Sequence, residues 1–150
     1  MRCVPQGSKI TPTVLLVEDL QDDRQMYAEY LRVHEFNTVE VGNTGEALQS
    51  AATADVIVTG IRVSGPFDGT ELVRRLRADD RTKHKPIIVL TACAFERDEQ
   101  GARAAGCDAF LTKPCLPVLL VEGIRRELAR VSRPKPARAV MIHRRRRGIA

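Results

Sequence analysis

The chain has 150 residues, 43% hydrophobic and 29% charged, with a formal net charge of +5. Those values predict one globular domain with a sizeable core and exclude collagen-like, low-complexity and wholly disordered chains. With 4% aromatic residues and no Trp, stacking platforms for single-stranded nucleic acid are also excluded.

The first element is an apolar run at 14–17 (VLLV), a strand ended by Glu18 and Asp19. Tyr27, Tyr30 and Leu31, at i, i+3 and i+4, predict a helix over 22–34. Residues 38–41 read as a second strand, and Asn43 or Thr44 opens a short helix carrying Ala47, Leu48 and Ala51. The run 56–60 (VIVTG) is a third strand, followed by a loop, 61–68, that contains Ser-Gly-Pro and closes on Asp-Gly. A helix over 70–78 buries Leu72, Val73 and Leu76 and exposes Arg74, Arg75 and Arg77. Pro86 precedes a fourth strand, 87–91 (IIVLT), and the helix at 96–105 stops at Gly106, a suitable C′ residue. A fifth strand, 109–112, leads into Lys113-Pro114. The last helix, 117–131, starts with Pro117 in its first turn and carries Leu120, Ile124, Leu128 and Val131 along one face.

Five strands alternating with five helices predict right-handed crossovers and a parallel sheet covered on both faces. The strands are nearly continuously apolar, as burial on both faces requires. Polar chemistry in such sheets collects beyond the carboxyl ends of the strands. Glu18 and Asp19 fall there, with Gly60, Thr91 and Lys113. Paired carboxylates make a hard oxygen site for a divalent cation such as Mg²⁺, a lysine is a point charge for an anion, and a threonine hydroxyl can donate to it. Together they describe a phosphoryl-binding pocket.

The segments VLLVED, DVIVTGIR, DGTELVRRLR, PIIVLTA and AGCDAFLTKP resemble, in order and spacing, the receiver domain of bacterial two-component response regulators over about residues 13–130. The resemblance implies a flavodoxin-like α/β sandwich, strand order 2-1-3-4-5, in which a histidine kinase or phosphotransfer protein passes phosphate to an aspartate ending strand three. It further implies that Glu18, Asp19 and the Arg62 carbonyl hold Mg²⁺, that Thr91 and Lys113 contact the phosphoryl group, and that Thr91 and Phe110 form the switch. Lys113-Pro114 matches the family's Lys-Pro, where the bond is often cis. Helix four, strand five and helix five would face downstream partners.

One position departs. Where the pattern D-x-x-x-x-D-x-R needs its second aspartate, Asp55 to Arg62 place Gly60. Glycine has no side chain, so neither an acyl phosphate nor a metal bond can form there. Phosphorylation at residue 60 is therefore not expected, and Mg²⁺ binding should be weak or absent. Thr59 points to the other face of the sheet by strand alternation, and Ser64 has no base at readable spacing, so neither is a substitute acceptor. A natural pseudo-receiver and a substituted acceptor are both compatible with this pattern.

The termini and cysteines complete the reading. Residues 131–150 hold seven of the 24 basic residues and no carboxylate, leaving 17 basic against 19 acidic, a net charge of −2, in residues 1–130. The chain divides into a lead at 1–12, a receiver domain at 13–131 and a basic tail at 132–150. SRPKPAR reads as linker and HRRRR as a solvated tail capable of non-specific nucleic-acid contact. That tail supports an alternative function, a nucleic-acid-associated protein. Cys3, Cys93, Cys107 and Cys115 form no C-x-x-C pair and read as small buried residues of a reducing compartment. No long apolar segment predicts a leader or membrane span, so a cytoplasmic location is expected. His34, His84 and His143 read as scattered surface residues, and an enzymatic role lacks a nucleophile.

Overall fold

The computed structural model describes residues 10–93 and 95–132. Five strands, β1 (Thr13–Val17), β2 (Asn37–Val41), β3 (Val56–Thr59), β4 (Ile87–Thr91) and β5 (Ala109–Thr112), form one sheet in the order β2-β1-β3-β4-β5. Every pairing is parallel. Among the described residues the helices are α1 (Gln21–Val33), α2 (Thr44–Ser50), α3 (Gly69–Ala78), α4 (Glu96–Ala105) and α5 (Pro117–Ser132), with a 3₁₀ turn, Ala51–Thr53, after α2. The predicted flavodoxin-like topology is what the chain adopts.

Strand alternation builds two cores. Val14, Leu16, Val56, Val58, Ile88 and Leu90 pack on α1 and α5 through Tyr27, Ala28, Leu31, Leu120, Val121 and Ile124. Leu15, Val17, Ile57, Ile87 and Val89 point the other way, onto Ala47, Leu72, Val73, Leu76 and Ala102. Both faces of each strand are thus apolar because both are covered. At the end of α4, Gly106 adopts φ 120°, and its amide donates to the Ala102 and Arg103 carbonyls, as predicted for a C′ glycine.

Four expectations need correction. Arg77 is not an exposed arginine of α3. Its guanidinium donates to the carbonyls of Gly106, Lys83 and Lys85 and to Asp108 at 2.7 Å, stitching α3 to the segments flanking β4 and β5. Val131, read onto the apolar face of the last helix, is 42% exposed. His34 is half-buried, stacked on Tyr30 at 4.2 Å between ring centroids. Cys107 and Cys115 are buried as expected, but Cys93 is only partly so. Cys3, His143 and the arginine-rich tail lie outside the described residues.

Candidate functional site

The register brings the predicted residues to one edge. Val17 pairs with Thr59, so the next residues, Glu18 and Gly60, are neighbours, and the Gly60 amide donates to the Val17 carbonyl at 3.2 Å. Thr91 pairs with Thr112, and the Lys113 amide donates to the Thr91 carbonyl at 2.8 Å. A cleft of about 300 Å³ opens above these ends, lined by Glu18, Asp19, Gly60, Arg62, Thr91 and Lys113 among others. Another cleft, of about 360 Å³, lies beside Pro12, His84 and Val131 and contains none of the predicted site residues.

Lys113 is the centre of the charge arrangement. Its Nζ donates to Glu18 Oε1 at 2.6 Å and to Asp23 Oδ2 at 2.7 Å. Burial alone would lower its pKa, but the hydrogen bonds to Asp23 and Glu18 outweigh that and hold the ammonium above the ordinary lysine value. The second Glu18 oxygen accepts from the Leu20 amide at 3.0 Å. Asp19 Oδ2 accepts from the Ser64 amide and hydroxyl at 3.2 and 3.1 Å. Sequence reasoning missed Asp23, which lies in the first turn of α1, where carboxylates are ordinary helix-start residues. Ser64 ties the β3–α3 loop to Asp19.

The remaining predicted residues frame the cleft. Thr91 is buried, and its hydroxyl oxygen accepts from the Cys93 amide at 3.0 Å. Arg62 is exposed and donates to Cys93 Sγ at 2.8 Å. Phe110 is partly buried against the core layer that contains Val89 and Cys107. The Lys113-Pro114 bond is cis. Nearby, the Tyr27 hydroxyl donates to the Cys115 carbonyl at 2.7 Å, a second tie between α1 and the segment after β5. Thr59 is fully buried and its hydroxyl donates to the Gly60 carbonyl.

Gly60 is not imposed by its backbone. A Cβ there would meet Val63 Cγ2 at 3.3 Å and the Leu90 carbonyl oxygen at 3.5 Å, so a small yield of one side chain would admit it. Gly69 is the opposite case: a Cβ would lie 1.7 Å from the Gly60 carbonyl oxygen. The start of α3 therefore packs directly on the backbone of residue 60.

A five-stranded parallel sandwich with paired carboxylates, a hydroxyl and a lysine at its carboxyl edge has the architecture of a phosphoryl-receiver signalling domain. Residues 14–125 match the family model of the response regulator receiver domain. The chain belongs to that family. It is 30% identical over 115 residues to the polar-differentiation response regulator DivK of Brucella anthropi, covering 75% of this chain and 93% of that relative. Among solved structures, a putative response regulator from Chloroflexus aurantiacus superposes with a TM-score of 0.76 at 29% identity, covering 80% of this chain and 99% of the other. The receiver domain of a Pseudomonas aeruginosa sensor histidine kinase, solved with a magnesium ion coordinated in its active-site cleft, gives a TM-score of 0.74 at 28% identity over 80% and 99% of the two chains.

In this chain the corresponding oxygens are largely engaged by the protein itself. Both Glu18 oxygens and one Asp19 oxygen already accept hydrogen bonds from the protein, and Gly60 supplies no donor atom. Among the described residues, no group of three or more His, Cys, Asp or Glu side chains is arranged to hold a metal ion. Nor, among them, is any helix long and apolar enough to cross a membrane.

Proposed function

We propose that this chain is a receiver-type signalling module that acts by binding partners and takes no phosphate at residue 60. The observation that carries the reading is the buried Gly60, set beside Glu18 at the carboxyl end of β3, in a cleft that also holds Thr91 and Lys113. A carboxylate at that point would be the nucleophile for an activated phosphoryl group; a hydrogen atom cannot be. Thr91 and Phe110 keep the places of the switch pair, but without a phosphoryl group no ligand at residue 60 distinguishes two states of the switch.

The partners are a histidine kinase or phosphotransfer protein and a downstream signalling protein, met on the face formed by α4, β5 and α5. Apolar exposure supports that face: Phe95 before α4 and Leu119 in α5 are 66% and 47% exposed. The free cysteines Cys93, Cys107 and Cys115 accord with a cytoplasmic setting. The test is incubation of the native chain with acetyl phosphate and Mg²⁺ followed by intact mass measurement. An unmodified mass is expected, and a phosphate adduct would overturn the reading.

A further inference from the structure

Lys113 does more than line the cleft. Its side chain is 15% exposed and that of Glu18 9%. From the end of β5 the ammonium reaches Glu18 beyond β1 at 2.6 Å and Asp23 in the first turn of α1 at 2.7 Å. One cation thus bridges two carboxylates on different elements, from inside the pocket.

Two neighbouring acceptors are also engaged. Glu18 Oε2 is held by the Leu20 amide and Asp19 Oδ2 by Ser64. A divalent ion such as Mg²⁺ demands near-octahedral oxygen coordination and gives up its water reluctantly. To ligate Glu18 Oε1 it would have to displace the Lys113 ammonium, and no carboxylate at residue 60 would compensate. Nor does any carboxylate at residue 60 draw the ammonium across the cleft, away from Asp23.

We propose that Lys113 is the resident cation of this pocket, a latch joining the end of β5 to α1 through Glu18 and Asp23, so that this edge of the fold is held together without Mg²⁺. The proposal rests on the reading that residue 60 offers no carboxylate. It adds that the space left is filled electrostatically by the chain itself. The latch is reinforced by the Tyr27–Cys115 hydrogen bond, which joins the same two regions at 2.7 Å.

The test is the thermal midpoint of the full chain, Lys113→Met and Asp23→Asn, each titrated with MgCl₂ against matched ionic strength, with calorimetric titration alongside. No phosphodonor is present, so the result is separable from the intact-mass test of phosphorylation. The native chain should show no Mg²⁺-dependent rise and no binding heat. Lys113→Met should have a lower midpoint that Mg²⁺ raises, because Glu18 and Asp23 then lack their cation. Asp23→Asn should lower the midpoint even if Lys113→Met fails to fold. A native chain stabilised by Mg²⁺, or an Asp23→Asn midpoint equal to the native one, would overturn the latch. If such a chain stayed unmodified by acetyl phosphate, the reading of residue 60 would survive.

Discussion

At residue 60 the difference between this chain and a phosphorylatable pocket is a single side chain, and the surroundings can accept one. A Cβ meets only Val63 Cγ2 at 3.3 Å and a carbonyl oxygen at 3.5 Å. Gly60→Asp should therefore fold. Adding a carboxylate beside Glu18 and Asp19 brings a repulsion of about 3 kcal/mol for charges about 5 Å apart at an effective dielectric near 20, offset in large part by attraction to the Lys113 ammonium in the same cleft, and replacing glycine removes roughly 0.5–1 kcal/mol of backbone entropy cost. The opposing contributions leave the denaturant midpoint close to the native one or slightly lower; a clearly higher midpoint for Gly60→Asp would contradict this balance. Gly69→Ala should behave otherwise, since its Cβ would overlap the Gly60 carbonyl at 1.7 Å. A loss of at least about 1–3 kcal/mol, the range for overpacking, is expected in equilibrium unfolding. The cysteines give a further check. Burial pushes the Cys107 and Cys115 thiols above their ordinary range, so both are more fully protonated at neutral pH and less nucleophilic. Alkylation at pH 7, read by peptide mass, should modify Cys93 well before either; equal rates would count against the packing described.

Among the elements, the strands were the most legible because a two-sided parallel sheet writes itself as continuous apolar runs. All five fall within a residue or so of expectation, with β3 ending at Thr59 rather than Gly60. Long side chains were not legible. Arg77 sits on the polar side of the α3 pattern, yet its aliphatic stem lets the guanidinium reach three carbonyls and Asp108 around a neighbouring element. Asp23 escaped for a similar reason: its partner Lys113 lies 90 residues away. Arg77→Ala should cost about 1–3 kcal/mol, because three carbonyls lose their donor while Asp108 keeps Arg130 and the Ile87 amide. Removing the exposed Lys83–Asp80 pair should change the unfolding free energy by less than about 1 kcal/mol. Similar losses for the two would refute the view that Arg77 staples α3 to the sheet.

For the whole molecule, the order of strands follows from alternation of strand and helix patterns, and the site follows from the strand ends. Glu18, Asp19, Thr91 and Lys113 can be placed at one edge from the sequence alone, because parallel strands deliver their carboxyl ends together. What could not be read was how those groups share their charges. That depends on side-chain reach across the cleft, where Lys113 meets Glu18 and Asp23. On the proposed reading, the side chain missing at residue 60 is what keeps this pocket from taking phosphate. The most direct measurement is the phosphorylation of Gly60→Asp by acetyl phosphate with Mg²⁺, followed by peptide mass mapping. It should gain one phosphate on residue 60 while the native chain gains none. A Gly60→Asp chain that folds and remains unmodified would contradict the claim that only residue 60 is missing.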